Sequence, residues 1–162
     1  MANTQALCNT FKAEVMQGLH QFAAQTIVSR GNLTTPAADT FKGALYFATA
    51  TLGAGTTVYT ATGEVGASGS YVAGGLISGF ATWNAPAVGT SQGITTPTTS
   101  WTTGAGFTAT AFDALLLYNA TQINVTGRAV AVFNFGSQTI AAGTFTLTMP
   151  TNADSTALLQ IR

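Results

Sequence analysis

The sequence predicts a mainly β protein: an antiparallel β-sandwich of jelly-roll or Ig-like type, with about seven or eight short strands and one N-terminal amphipathic helix. Three observations carry that expectation. Roughly thirty threonines, β-branched residues suited to half-buried pleated surfaces, crowd a chain of 162 residues. From Thr40 onward, apolar residues recur at every second position or in short continuous runs. Gly, Ser, Pro and Asn then separate those runs at strand-length intervals. The length suits one domain with its own core, divided into a helix over 1–28, a linker over 29–39 and the sandwich over 40–162.

The helix is read from TQALCNTFKAEVMQGLHQFAAQ, where Leu7, Phe11, Val15, Leu19 and Phe22 fall at steps of three and four. Together with Cys8 they form one apolar stripe, while Asn9, Lys12, Gln17, His20 and Gln21 lie elsewhere on the circumference. Asn3 or Thr4 can cap the start, and Gly31 and Pro36 in SRGNLTTPAAD break the helix. The stripe residues Leu7, Phe11, Val15, Leu19 and Phe22 form the candidate interface, to be covered by a neighbouring molecule or by the chain's own sheet.

Among the strands, TFKGALYFA sets Phe41, Leu45 and Phe47 against Lys42 and Tyr46, and GTFTLTMP alternates Phe145, Leu147 and Met149 with Thr144, Thr146 and Thr148. AFDALLLYN and RAVAVFNFG are more continuously apolar, as strands covered on both faces would be, so they are expected as a central pair turned by NATQINVTG. TTVYTAT, GGLISGFATW, SWTTGAGFTAT and STALLQI complete the strand candidates. The stretch from Thr51 to Gly75 carries a single charge, Glu64. Its glycines permit either tight turns with close backbone approach or a mobile surface loop.

Composition narrows the function. Only 6% of residues are charged, and Lys12, Arg30, Lys42, Arg128 and Arg162 are spread too evenly to make a phosphate-binding stripe. Nucleic acid and membrane are not expected partners; the longest apolar runs are far too short to span a bilayer. A neutral surface lacks the self-repulsion that keeps free proteins apart, which favours an assembly, with a homo-oligomer expected and a trimer first. Catalysis would have to draw on one histidine, one cysteine and five carboxylates. His20 is expected exposed or at an interface, Cys8 buried as a small hydrophobe, and Asp113 and Asp154 bonded to local backbone. No phosphate loop, dinucleotide fingerprint or metal-ligand cluster occurs in the sequence, so no enzyme, cofactor or metal is expected. Trp83, Trp101, Tyr59 and Tyr71 could stack on a sugar ring or anchor a core.

The order of phrases carries a resemblance. MANTQALCNTFKAEVMQGLHQF, DTFKGALYFATATL, TTVYTATGEV, SYVAGG, AFDALLLYNATQ, AVAVFNFGSQTIAAGTFTLTMPT and ALLQIR resemble a group of small virion proteins of tailed bacteriophages over most of the chain. The resemblance implies a structural part of the particle, assembled in the bacterial cytoplasm and partnered by itself and the major capsid protein or other virion proteins. Within that class the sequence is read as a capsid decoration or cement protein bridging capsomers. A tail, neck or fibre-attachment component and a carbohydrate-binding receptor module are the alternatives.

Overall fold

The computed structural model describes residues 2–22, 27–29, 32–34, 37–78, 92–95, 100–122, 124–149 and 159–161. Its centre is a five-stranded antiparallel sheet in the order β1-β9-β8-β4-β5, formed by Ala6–Leu7, Arg128–Gly143, Phe107–Asn119, Phe41–Phe47 and Leu76–Ile77. Three-residue and four-residue pieces supply three further antiparallel pairs: β2 (Ile27–Ser29) with β3 (Asn32–Thr34), β6 (Gln92–Thr95) with β11 (Leu159–Ile161), and β7 (Ser100–Thr102) with β10 (Thr146–Thr148). The protein is thus mainly β, as its threonines and alternating runs require.

The two continuously apolar runs do form the central pair. In β8 every residue from Phe112 to Asn119 is buried, so both faces of that strand are covered. Its register against β4 pairs Leu45 with Leu115 and Gly43 with Leu117; against β9 it pairs Leu116 with Val132. Beyond the sheet the β8–β9 ribbon bends where the register shifts, with Ala111 at φ 51° and Gly136 at φ 76°. There the inner side, Phe107, Phe112, Phe135 and Ile140, packs inward and Thr108, Thr110, Ser137 and Thr139 face out.

β10 has the expected alternation: Phe145 and Met149 are buried, Leu147 is half-buried, and Thr144, Thr146 and Thr148 are exposed. Phe145 meets Phe112 edge-on at 5.0 Å between ring centroids, and Trp101 of β7 packs edge-on at 6.3 Å against Tyr71. The β7–β10 pair is held to the large sheet by these aromatics. Tyr46, by contrast, was expected beside Lys42 on the polar side of β4 and is fully buried.

The N-terminal segment departs furthest from expectation. Helix α1 covers only Asn9–Met16, not 1–28. Leu7, expected on the helix, lies in β1 opposite Ala131. At the other end Gly18 takes φ 70°, and Gly18 N–H and Leu19 N–H donate to the carbonyls of Val15 and Glu14, a left-handed helix stop that only glycine adopts cheaply. The chain then returns along the sheet, with Gln21 and Asp39 joined by two hydrogen bonds of 2.7 Å. Ile27–Ser29 and Asn32–Thr34 pair as a hairpin where the helix end and linker were expected. Among the described residues no helix is long and apolar enough to cross a membrane.

Candidate functional site

Four of the five stripe residues come together, but on their own chain's core, and Leu19 is half-buried outside it. Phe11 is fully buried, and Leu7, Val15 and Phe22 pack half-buried against the same core. Phe22 stacks on Phe41 at 5.4 Å, and Phe11 meets the His20 ring edge-on at 4.8 Å. The period of three and four therefore marks residues that share a cover without sharing a helix: the reversal at Gly18 brings Phe22 back over the sheet. Met16, at 84% exposure, is the large apolar side chain that α1 leaves in solvent.

His20 is the main correction. It is buried, and its side chain has no solvent exposure. The sequence offered no acidic partner at helical spacing, yet the turn at Gly18 brings Glu14 within 3.0 Å of its Nε2. Its Nδ1 lies 3.0 Å from Asn119 Nδ2, whose amide also donates to Asp39 Oδ2 at 2.7 Å. Asn119 Oδ1 in turn accepts from the Thr121 amide at 3.0 Å. Because Asn119 presents N–H to the ring, Nδ1 must be the acceptor and Nε2–H the donor to Glu14. Arg128 Nε approaches Glu14 Oε1 at 2.6 Å, off the N–H axis, so this contact is an ion pair and not a directed hydrogen bond. Burial outweighs the attraction of Glu14 and Asp39 and lowers the histidine's pKa from its usual value. Both ring nitrogens are committed and Phe11, Phe22 and Phe41 close around the ring, so no substrate can reach it.

A second cluster explains the bland segment. Glu64, its only charge, gathers all four tyrosines of the protein. Glu64 Oε1 accepts from the Tyr71 hydroxyl at 2.9 Å and from Gly74 N–H at 2.7 Å, while Oε2 accepts from the Tyr59 hydroxyl at 2.5 Å. Tyr71 Oη accepts in addition from Leu45 N–H at 3.0 Å. Tyr118 donates to the Gly74 carbonyl and Tyr46 to that of Thr60, and Tyr59 stacks on Tyr118 at 4.8 Å. Burial raises all four phenols above their ordinary pKa, Tyr118 to about 12, with the nearby Glu64 charge adding to it. They remain protonated donors at any ordinary pH and supply neither base nor nucleophile.

The other candidates are also spent on structure. Asp113 bonds distant side chains and not local backbone: Asn3 Nδ2 at 2.5 Å and Asn134 Nδ2 at 3.4 Å. Cys8 is buried, and desolvation pushes its thiol up to about 11, away from a reactive thiolate. Tyr71 and Trp101 are buried and present no open ring face, while half-buried Tyr59 stacks on Tyr118; Trp83 and Asp154 lie outside the described residues. Among the described residues no group of three His, Cys, Asp or Glu could hold a metal. An open groove of about 450 Å³ is lined by Thr49, Thr51, Thr56, Thr60 and Thr62, with no charged side chain at its wall. No protein-family model matches the chain, and neither a curated protein nor a solved structure matches it.

The Glu64 and His20 clusters were invisible to local spacing. One signal was available in principle: a lone charge in twenty-five apolar and hydroxylated residues is costly to bury, so if that stretch is ordered Glu64 must have donors around it.

Proposed function

We propose that the chain is a non-enzymatic structural protein of a tailed-bacteriophage virion, of the capsid-decoration or cement type that bridges capsomers. The observation that carries the non-enzymatic part is the fate of the ionisable groups. The four described carboxylates, Glu14, Asp39, Glu64 and Asp113, and the one histidine all have intramolecular partners, and none lines either groove formed by the described residues 47–68 and 108–110. The assembly part rests on the resemblance of the sequence phrases and on the neutral outer face of the β8–β9 ribbon, where Thr108, Thr110, Ser137, Thr139, Ala141 and Ala142 are exposed without a charge among them. The proposal includes a jelly-roll or Ig-like sandwich with β7–β10 in its second sheet, and a homo-oligomer, a trimer first. Since α1 and the return segment cover their own core, the contacts with neighbours fall to the hydroxyl-rich strand faces.

Copy number in purified particles tests it. On the order of hundreds of copies places the protein on the head, whereas about a dozen or fewer favours a tail, neck or fibre-attachment part, the second reading. Absence from particles overturns both. Multi-angle scattering of the isolated protein should show an oligomer; a monomer at every concentration counts against the decoration reading.

A further inference from the structure

The His20 junction ties together five elements of the chain drawn from three regions of its sequence. Glu14 belongs to α1, His20 to the return segment, Asp39 to the approach to β4, Asn119 to the end of β8 and Arg128 to the start of β9. Every proton in its central relay has one place to go. His20 Nε2–H donates to Glu14; the two Asn119 amide hydrogens go to His20 Nδ1 and Asp39 Oδ2; Asn119 Oδ1 takes the Thr121 N–H. Asp39 is itself held by Gln21 N–H at 2.7 Å and Thr121 Oγ1 at 3.4 Å.

We propose that this junction is an acid-released latch: it pins the return segment, residues 17–22, and the approach, residues 37–40, to the ends of β8 and β9 while His20 is neutral, and it lets them go when His20 is protonated. A second proton can only sit on Nδ1, where it would point at the Asn119 N–H at 3.0 Å. Turning the Asn119 amide over does not cure this. Its oxygen would then face the Asp39 carboxylate, and the Thr121 N–H would lose its acceptor. Three charged groups face the ring. Glu14 and Asp39 favour the cation, but Glu14 is already paired with Arg128, and the Arg128 charge opposes a second cation beside it. The surrounding Phe11, Phe22 and Phe41 rings withhold water from it.

The released state regains an ordinary imidazole of pKa ~6.5, while the latched state holds it lower. Protons therefore bind the released state better, and the latch is fully effective above ~6.5 and weakens as pH falls below it. By pH 5 the opening equilibrium shifts by up to about thirtyfold, the full protonation of a free imidazole. The device does not depend on the virion reading and holds for any role of the chain.

Hydrogen exchange of the full chain, followed peptide by peptide from pH 7.5 to 5 with the intrinsic rate corrected, tests the latch. Residues 17–22 and 37–40 should lose protection up to about thirtyfold while the β8–β9 core keeps its own. His20→Gln, which keeps a donor toward Glu14 and does not titrate, should show no pH dependence in these peptides. The chain has one histidine, so its ring resonance reads the same event without any variant, with a midpoint expected below ~6.5. A midpoint at or above that value, pH-independent protection in the wild type, or the same loss in His20→Gln overturns the proposal.

Discussion

The β8–β9 hairpin and the segment from residue 48 to 75 lie against each other and are stabilised by opposite means. The hairpin is continuous strand, apolar on both faces, and its residues from Phe112 to Tyr118 and Ala129 to Phe133 are buried. The segment has almost no regular structure, only isolated bridges of Val58 with Arg128, Glu64 with Tyr46, and Ser68 with Tyr71. It nevertheless crosses the sheet from β9 to β4. Tyr59 N–H donates to the Gly127 carbonyl and Ala129 N–H to that of Thr57 at the β9 side, and Phe47 N–H and Val65 N–H bond Gly63 and Leu45 carbonyls at the β4 side. Between these two strands Tyr59 stacks on Tyr118 of β8.

The difference teaches that a stretch of Gly, Thr, Ala and Ser can be ordered when two conditions hold. One buried carboxylate must gather enough donors to satisfy itself, and glycines must let backbone touch backbone. At Gly75, with φ 73°, an added Cβ would lie 2.2 Å from the Gly43 carbonyl oxygen; at Gly69, with φ 58°, it would lie 2.4 Å from the Gly106 carbonyl carbon. A hydrophobic strand tolerates some repacking, whereas a backbone contact has no side chain to move aside.

Gly75→Ala should therefore be the most damaging single change, costing more than about 4 kcal/mol or preventing folding, as read from the denaturant midpoint. A mild effect would show that the crossing segment can lift from β4 and that its order is weaker than the hairpin's. Leu116→Ala, a fully buried position in the hairpin, should cost roughly 2–5 kcal/mol in the same measurement. Glu64→Gln should cost less, about 1–3 kcal/mol, because the amide keeps an acceptor for Tyr71 and Gly74 but presents N–H to the Tyr59 hydroxyl. If Glu64→Gln proved worse than Leu116→Ala, the polar cluster would outrank the hydrophobic core in holding the two regions together. Thr146→Ala, on the exposed side of β10, should stay within about 0.5 kcal/mol by thermal melting, against a larger loss for Phe145→Ala in the buried position beside it.

The sequence by itself determined the features that depend on neighbouring positions. Alternation in GTFTLTMP is a property of the pleat, so Phe145 and Met149 point inward and Thr144, Thr146 and Thr148 outward whatever lies opposite. The unbroken apolar runs of β8 and β9 demanded cover on both faces, which only the middle of a sheet provides. The apolar identity of Leu7, Phe11, Val15 and Phe22 likewise required burial, and they are wholly or partly buried on their own core. Only the tertiary structure decided whether one helix carries them, because Gly18 can either continue a helix at small cost or end it, and pairing of Gln21 with Asp39 favours the end. Only the tertiary structure, too, could give His20 its partners Glu14 and Asn119 and Glu64 its four tyrosines. A buried polar group takes whichever partners the folded chain brings within reach: the Asn119 amide is 99 positions from His20, and Glu64 takes Tyr59, Tyr71 and the Gly74 N–H, while Tyr46 of β4 and Tyr118 of β8 donate to backbone carbonyls beside them.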